Sequence, residues 1–151
     1  MASERLTDFE KSLNHWSVSF KLNSKQLVLS AYSAAEEKQG IDPLVLDIRK
    51  LTDIADYFFL VHGNSDRHVR TIADGIIDDL HLKKEKPDHV EGLKEANWIL
   101  IDYGSIIIHV FHYQTRQFYN LERLWGDGKI VKMSEGKHER KVKSTRRSRT
   151  S

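Results

Sequence analysis

The chain has 151 residues, enough for one domain of ordinary size with some surplus at its ends, and a hydrophobic share of 39% suffices for one packed core. Cysteine is absent, which excludes disulfides and thiolate chemistry, and the longest uncharged apolar run, residues 106–111, is too short to cross a bilayer. The net charge of +2 hides an asymmetry: residues 129–151 carry nine Lys and Arg against Glu135 and Glu139, which leaves the rest of the chain mildly acidic.

Residues 1–22 are weakly patterned, with Phe9, Leu13, Trp16, Val18 and Phe20 scattered among polar residues. They are read as an N-terminal extension, either a short amphipathic segment or a loose arm. No secretory signal is visible, and Glu4, Asp8 and Glu10 fit poorly with an acid-poor transit peptide, so a cytosolic protein is expected. The domain itself is expected over residues 23–130. Asn23 with Gln26 three residues on reads as a capping box that opens a helix. Leu27, Ala31, Ala34 and Ala35 mark its buried face, Gly40 is placed at its C′ position, and Pro43 stops any continuation.

Residues 44–48 form a short β-prone run. Residues 57–61, Tyr-Phe-Phe-Leu-Val, form a second, apolar throughout as in a central strand covered on both faces. After His62-Gly63-Asn64, Ser65 is placed as the N-cap of the clearest helix in the chain. Val69, Ile72, Ala73, Ile76, Ile77 and Leu80 lie on one stripe of it. His89-Val90-Glu91 reads as a short strand before Gly92. Residues 98–102 and 106–112 read as a hairpin around Tyr103-Gly104-Ser105. A helix over 115–125 with Phe118, Leu121, Leu124 and Trp125 as its face closes the domain, stopped by Gly126. Residues 131–151 are Ser/Lys/Arg-rich, lack a hydrophobic face and are expected to be disordered. This order of elements predicts an α/β fold: a mixed β-sheet of about five strands with flanking helices.

Alternation along the hairpin separates two faces. Ile99, Ile101, Tyr103, Ile106, Ile108 and Val110 form an almost wholly apolar one, expected to be buried. Trp98, Leu100, Asp102, Ile107, His109 and Phe111 form the other. Two readings of that second face stand side by side. Either a helix covers it, with Asp102 and His109 satisfying each other or the backbone, or it is an exposed recognition surface anchored by Trp98.

Catalytic alternatives find little support in the sequence. The Gly63-Asn64-Ser65 turn lacks P-loop and dinucleotide spacing, and no paired acids follow it as metal-assisted phosphoryl transfer requires. His109 and His112 point to opposite faces of one strand, and His62 and His68 lack a carboxylate in ligand register, so neither a metal nor another cofactor is expected. The basic tail offers sequence-blind, salt-sensitive attraction to RNA, without aromatics on which bases would stack.

At Asp56-Tyr57, Gly63-Asn64-Ser65-Asp66-Arg67-His68-Val69, Glu91-Gly92, Trp98 to Gly104, His109-Val110-Phe111 and Tyr119 to Trp125, the chain resembles the ribosomal silencing factor (Iojap) family. The motifs occur in order over roughly residues 25–126. The resemblance implies a sheet related in shape to nucleotidyltransferases but without their catalytic acids. It implies a non-enzymatic protein that binds the large ribosomal subunit through ribosomal protein fourteen and blocks joining of the small subunit. In organellar relatives the same contact assists large-subunit assembly. Homodimers are common in the family, and on that point this sequence is silent. Glu91, Trp98 and Asp102 match motif positions and are expected to form the contact. Leu100, His109 and Phe111 share the hairpin face and are added to it. Tyr103 falls on the opposite face, and its match is assigned to packing.

Overall fold

The computed structural model describes residues 21–131; the expected N-terminal extension and basic tail lie outside them, save for Lys21, Leu22 and Val131. Helix α1 (Ser24–Glu37) opens on the capping box: Asn23 Oδ1 accepts the Gln26 N–H at 2.8 Å, and Gln26 Oε1 accepts the Asn23 N–H at 3.0 Å. It closes in a Schellman motif, in which Gly40 N–H donates to the Ala35 carbonyl and Gln39 N–H to that of Glu36. The left-handed residue is therefore Gln39, with φ 61°, and not Gly40 as expected. Gly40 is needed for space instead, because a Cβ there would stand 2.6 Å from Val61 Cγ2.

Strand β1 (Ile41–Asp47) begins earlier than the sequence suggested. Its register shifts between Ile41 and Leu44, a bulge that accommodates Pro43, which has no N–H to give a ladder. Strand β2 (Tyr57–Gly63) is buried throughout except at His62. Ser65 caps helix α2 (Asp66–Leu82) by accepting the His68 N–H at 3.1 Å, and the helix buries Val69, Ile72, Ala73, Ile76 and Leu80.

Strands β3 (His89–Glu91), β4 (Trp98–Asp102) and β5 (Ile106–His112) follow. The β4–β5 loop has Gly104 at φ 83° as its first central residue, the requirement of a type II′ turn. Among the described residues, six strands form one mixed sheet in the order β3-β4-β5-β2-β1-β6, with only β2 and β5 parallel. The sixth, β6 (Lys129–Ile130), pairs with Leu46 and Asp47 of β1 and has no hydrophobic signature of its own.

Helices α1 and α2 cover one face of the sheet, where the larger core gathers Val28, Phe59, Ile72, Ile76, Ile99, Ile101 and Ile108 among others. The expected buried hairpin face, Tyr103 included, lies here. On the opposite face a smaller cluster joins Leu46, Ile48, Ala55, Phe58, Leu60, Phe111 and Leu121.

The cover of that second face differs from the expected single helix over 115–125. Helix α3 (Tyr113–Tyr119) stops at Asn120, which takes a left-handed conformation (φ 47°, ψ 59°) and caps α4 (Leu121–Leu124) by accepting the Arg123 N–H. The break turns the predicted stripe apart: Leu121 is buried, while Phe118 and Leu124 are 80% and 72% exposed. Asparagine tolerates this conformation because its short side chain satisfies a neighbouring amide.

Arg116 of α3 anchors this cover. Its Nη1 donates to the carbonyls of Asp42 at 2.8 Å and Ile41 at 3.3 Å and to His62 Nδ1 at 3.0 Å. Its Nε and Nη2 both reach Glu122 Oε2. The guanidinium is buried, so its removal takes a donor from the bulge carbonyls and the counter-ion from Glu122. Arg116→Leu is expected to cost about 2–4 kcal/mol, seen as a lower denaturation midpoint at unchanged slope.

Candidate docking surface

Strand register lays out the second face in three rows. Glu91 of β3 pairs with Leu100, Leu100 with His109, and His109 with Leu60. Beside it run His89, Asp102, Ile107 and Phe58, and on the other side Trp98, Phe111 and His62. Directly opposed residues share a face, so all six predicted site residues lie on this side of the sheet. Their depths differ. Glu91 is exposed, Trp98, Leu100 and Asp102 are half-buried, and His109 and Phe111 are buried. The cause is the position of α3 and α4, which pack over β2 and β5 and, among the described residues, leave β3 and β4 open.

Gly92 makes the β3–β4 connection possible. At φ 85° it passes so close to β4 that any Cβ would collide with the Trp98 carbonyl oxygen.

Trp98 sits at the boundary between the covered and open parts. Its ring lies 5.0 Å from that of Tyr119, 5.1 Å from Phe111 and 5.9 Å from His109, centroid to centroid. Its Nε1–H donates to His109 Nδ1 at 3.1 Å. That bond dictates the tautomer: Nδ1 carries the lone pair, so the proton sits on Nε2. Nε2 is buried and, among the described residues, has no hydrogen-bond partner. Around the imidazole, Phe58 stands edge-on at 5.0 Å and Phe111 stacks at 5.9 Å.

Asp102 and His109 do not satisfy each other, one of the arrangements considered for this face. Asp102 Oδ1 accepts the Gly104 N–H at 2.7 Å and stabilises the hairpin turn. On the open edge Glu91 Oε2 meets His89 Nε2 at 2.6 Å, an exposed contact worth little to stability. Tyr119 contributes to the surface and Arg116 holds in place the helix that carries it, although the sequence marks neither as a site residue. Tyr119 lies within one of the family motifs, and Arg116 carries no signal.

The Gly63-Asn64-Ser65 turn is internally occupied. Asn64 N–H donates to His68 Nδ1 at 3.1 Å, His68 Nε2 donates to the Lys38 carbonyl at 3.0 Å, and Ser65 serves as the helix cap. Among the described residues, no three His, Asp or Glu side chains converge as metal ligands would, and no helix is long and apolar enough to cross a membrane.

The geometry defines an α/β protein whose sheet is helix-covered on one face and left partly open on the other. The profile of a family described as "Ribosomal silencing factor during starvation" matches residues 21–151. "Ribosomal silencing factor RsfS" of Bacillus subtilis is 39% identical over 115 residues, covering 76% of this chain and 98% of that protein. "Mitochondrial assembly of ribosomal large subunit protein 1" of Mus musculus is 30% identical over 96 residues, covering 62% of this chain and 42% of its own length. A crystal structure of a protein from Chromobacterium violaceum superposes with a TM-score of 0.68 at 28% identity, covering 76% of this chain and 95% of that one. The chain belongs to the ribosomal silencing factor family.

Burial pushes His109 down to a pKa of about 4. Its folded value lies below the unfolded value of about 6.5, so the unfolded chain takes up the proton more readily. The stabilisation tied to the neutral ring is whole above that unfolded value and is lost as pH falls toward the folded one. Between about pH 7 and about pH 4 the protein should lose about 3 kcal/mol more stability than His109→Leu does, in paired denaturant titrations. His62, lowered by burial and by Arg116, shifts the same way in both proteins and cancels in the difference.

Proposed function

We propose that this chain docks on the large ribosomal subunit through ribosomal protein fourteen, over the open β3–β4 part of the sheet. Occupying the face where the small subunit would sit, it blocks subunit joining and lowers translation in the cytosol. It acts by occupancy, not by turnover. Glu91, Trp98, Leu100 and Asp102 meet the partner, with His109 and Phe111 supporting Trp98 from beneath.

The observation that carries this reading is Trp98, half-buried at the margin of an aromatic cluster on a sheet face that α3 and α4 leave partly open. A large rigid side chain in that setting is the usual centre of a protein interface. Strands β3, β4 and β5 contain Glu91 and Asp102 but no Lys or Arg, which suits a basic ribosomal protein and speeds its encounter.

Trp98→Ala and Asp102→Lys should each weaken co-sedimentation with purified large subunits by about thirtyfold or more, with the fold retained by circular dichroism. Light scattering of subunit joining, suppressed by the natural chain, should recover with either variant. Wild-type affinity in a folded double variant would remove this face from consideration.

A second reading, assistance to large-subunit assembly, is favoured by the name of the mouse relative. It predicts binding to large subunits without suppression of joining. The basic tail is assigned a weak contact to ribosomal RNA in either case. Deleting residues 132–151 should lower affinity at low salt and flatten its salt dependence, whereas an unchanged slope would reject the contact.

A further inference from the structure

We infer that His109 is a positioning residue for the docking surface: its imidazole accepts the Trp98 indole N–H and so fixes the orientation in which Trp98 is offered to the partner. The inference rests on the docking reading above, and it gives His109 a role that does not require touching the partner.

His109 is 5% exposed, under the level of the half-buried Trp98, and Leu60 and Leu100 are its cross-strand neighbours. Phe58 and Phe111 complete a surrounding made almost wholly of carbon. A Leu would fill such a place and bury no polar atom of its own. The imidazole instead leaves Nε2 buried and unpartnered, and an orphaned buried donor calls for a reason.

The reason is the other nitrogen. Nδ1 accepts from Trp98 Nε1 at 3.1 Å, which a hydrocarbon could not do. The bond holds the nitrogen edge of the indole against His109 of β5. Tyr119 and Phe111 flank the ring but restrain only its tilt, because aromatic contacts are tolerant of rotation within the plane. A directional bond removes that freedom before binding, and an anchor ordered in advance loses less entropy when it docks. Burial keeps the imidazole neutral near pH 7, so the lone pair is available.

The test uses the full chain and purified large ribosomal subunits. His109→Leu should weaken docking about tenfold while the protein stays folded. His109→Asn, whose Oδ1 falls near the place of Nδ1, should restore binding to within about threefold of wild type. In a Trp98→Phe background, which keeps an aromatic ring but has no N–H, His109→Leu should add nothing further. A through-bond ¹⁵N–¹⁵N coupling between Trp98 Nε1 and His109 Nδ1 should be present in the natural chain.

Equal affinity of His109→Leu and wild type, with Trp98→Ala still impaired, would overturn the positioning role and leave the docking reading standing. Equal losses in the Trp98 and Trp98→Phe backgrounds would overturn it too, since His109 would then act through general packing. Wild-type affinity in Trp98→Ala would overturn the docking reading itself, and the positioning role with it.

Discussion

The parallel pairing of β2 with β5 at the centre of the sheet constrains everything around it. Parallel neighbours cannot be joined by a tight turn, so the chain must cross over, through α2, before β3, β4 and β5 complete that side. Strand β2 is apolar on both faces and needs cover on both. Helices α1 and α2, 14 and 17 residues long, seal one side. Among the described residues the other side has α3 and α4, 7 and 4 residues long, and they are placed where β2 and β5 need them. The remainder of that face, over β3 and β4, is left open by the described residues.

Trp98 lies on the margin of this cover, and its setting links three parts of the fold. Beneath it are Phe111 and His109 of β5, and beside it is Tyr119 of α3. Ring contacts of this kind add roughly 0.5–1.5 kcal/mol each beyond burial of area. Tyr119 is in turn held by α3, which Arg116 ties to the β1 bulge through the carbonyls of Ile41 and Asp42. The surface offered to a partner therefore depends on an arginine that faces away from it and on a proline-containing bulge at the far side of β2.

Local signals were readable in the sequence wherever the chemistry is local. The Asn23–Gln26 capping box, the Ser65 cap and the stripe from Val69 to Leu80 involve residues within one helix, and each stands in the structure as expected. Alternation likewise placed Trp98, Leu100, Asp102, His109 and Phe111 on one face of the hairpin. It could not say how deep each would lie, because depth depends on where α3 lands. That landing is set by Arg116 and Asp42, 74 positions apart. The break at Asn120 had a faint signal, an asparagine tolerant of left-handed geometry inside a helical run, but the apolar spacing through Phe118 and Leu124 outweighed it. Strand β6 had none, since Lys129 and Ile130 pair with β1 through the backbone alone.

Strand order also separates charge in space. The three strands β3, β4 and β5 occupy one side of the sheet without a single Lys or Arg, whereas β6 at the opposite edge begins with Lys129 and leads into the basic C-terminal residues. Five strand spacings lie between the two edges, about 24 Å, more than twice the screening length at physiological salt. At that separation the two edges are electrostatically independent, and a partner approaching either one responds to the sign it meets there. The two edges thus present different side chains, Glu91 on β3 and Lys129 on β6, and a surface with charges of both signs can orient the domain before any side chain makes contact.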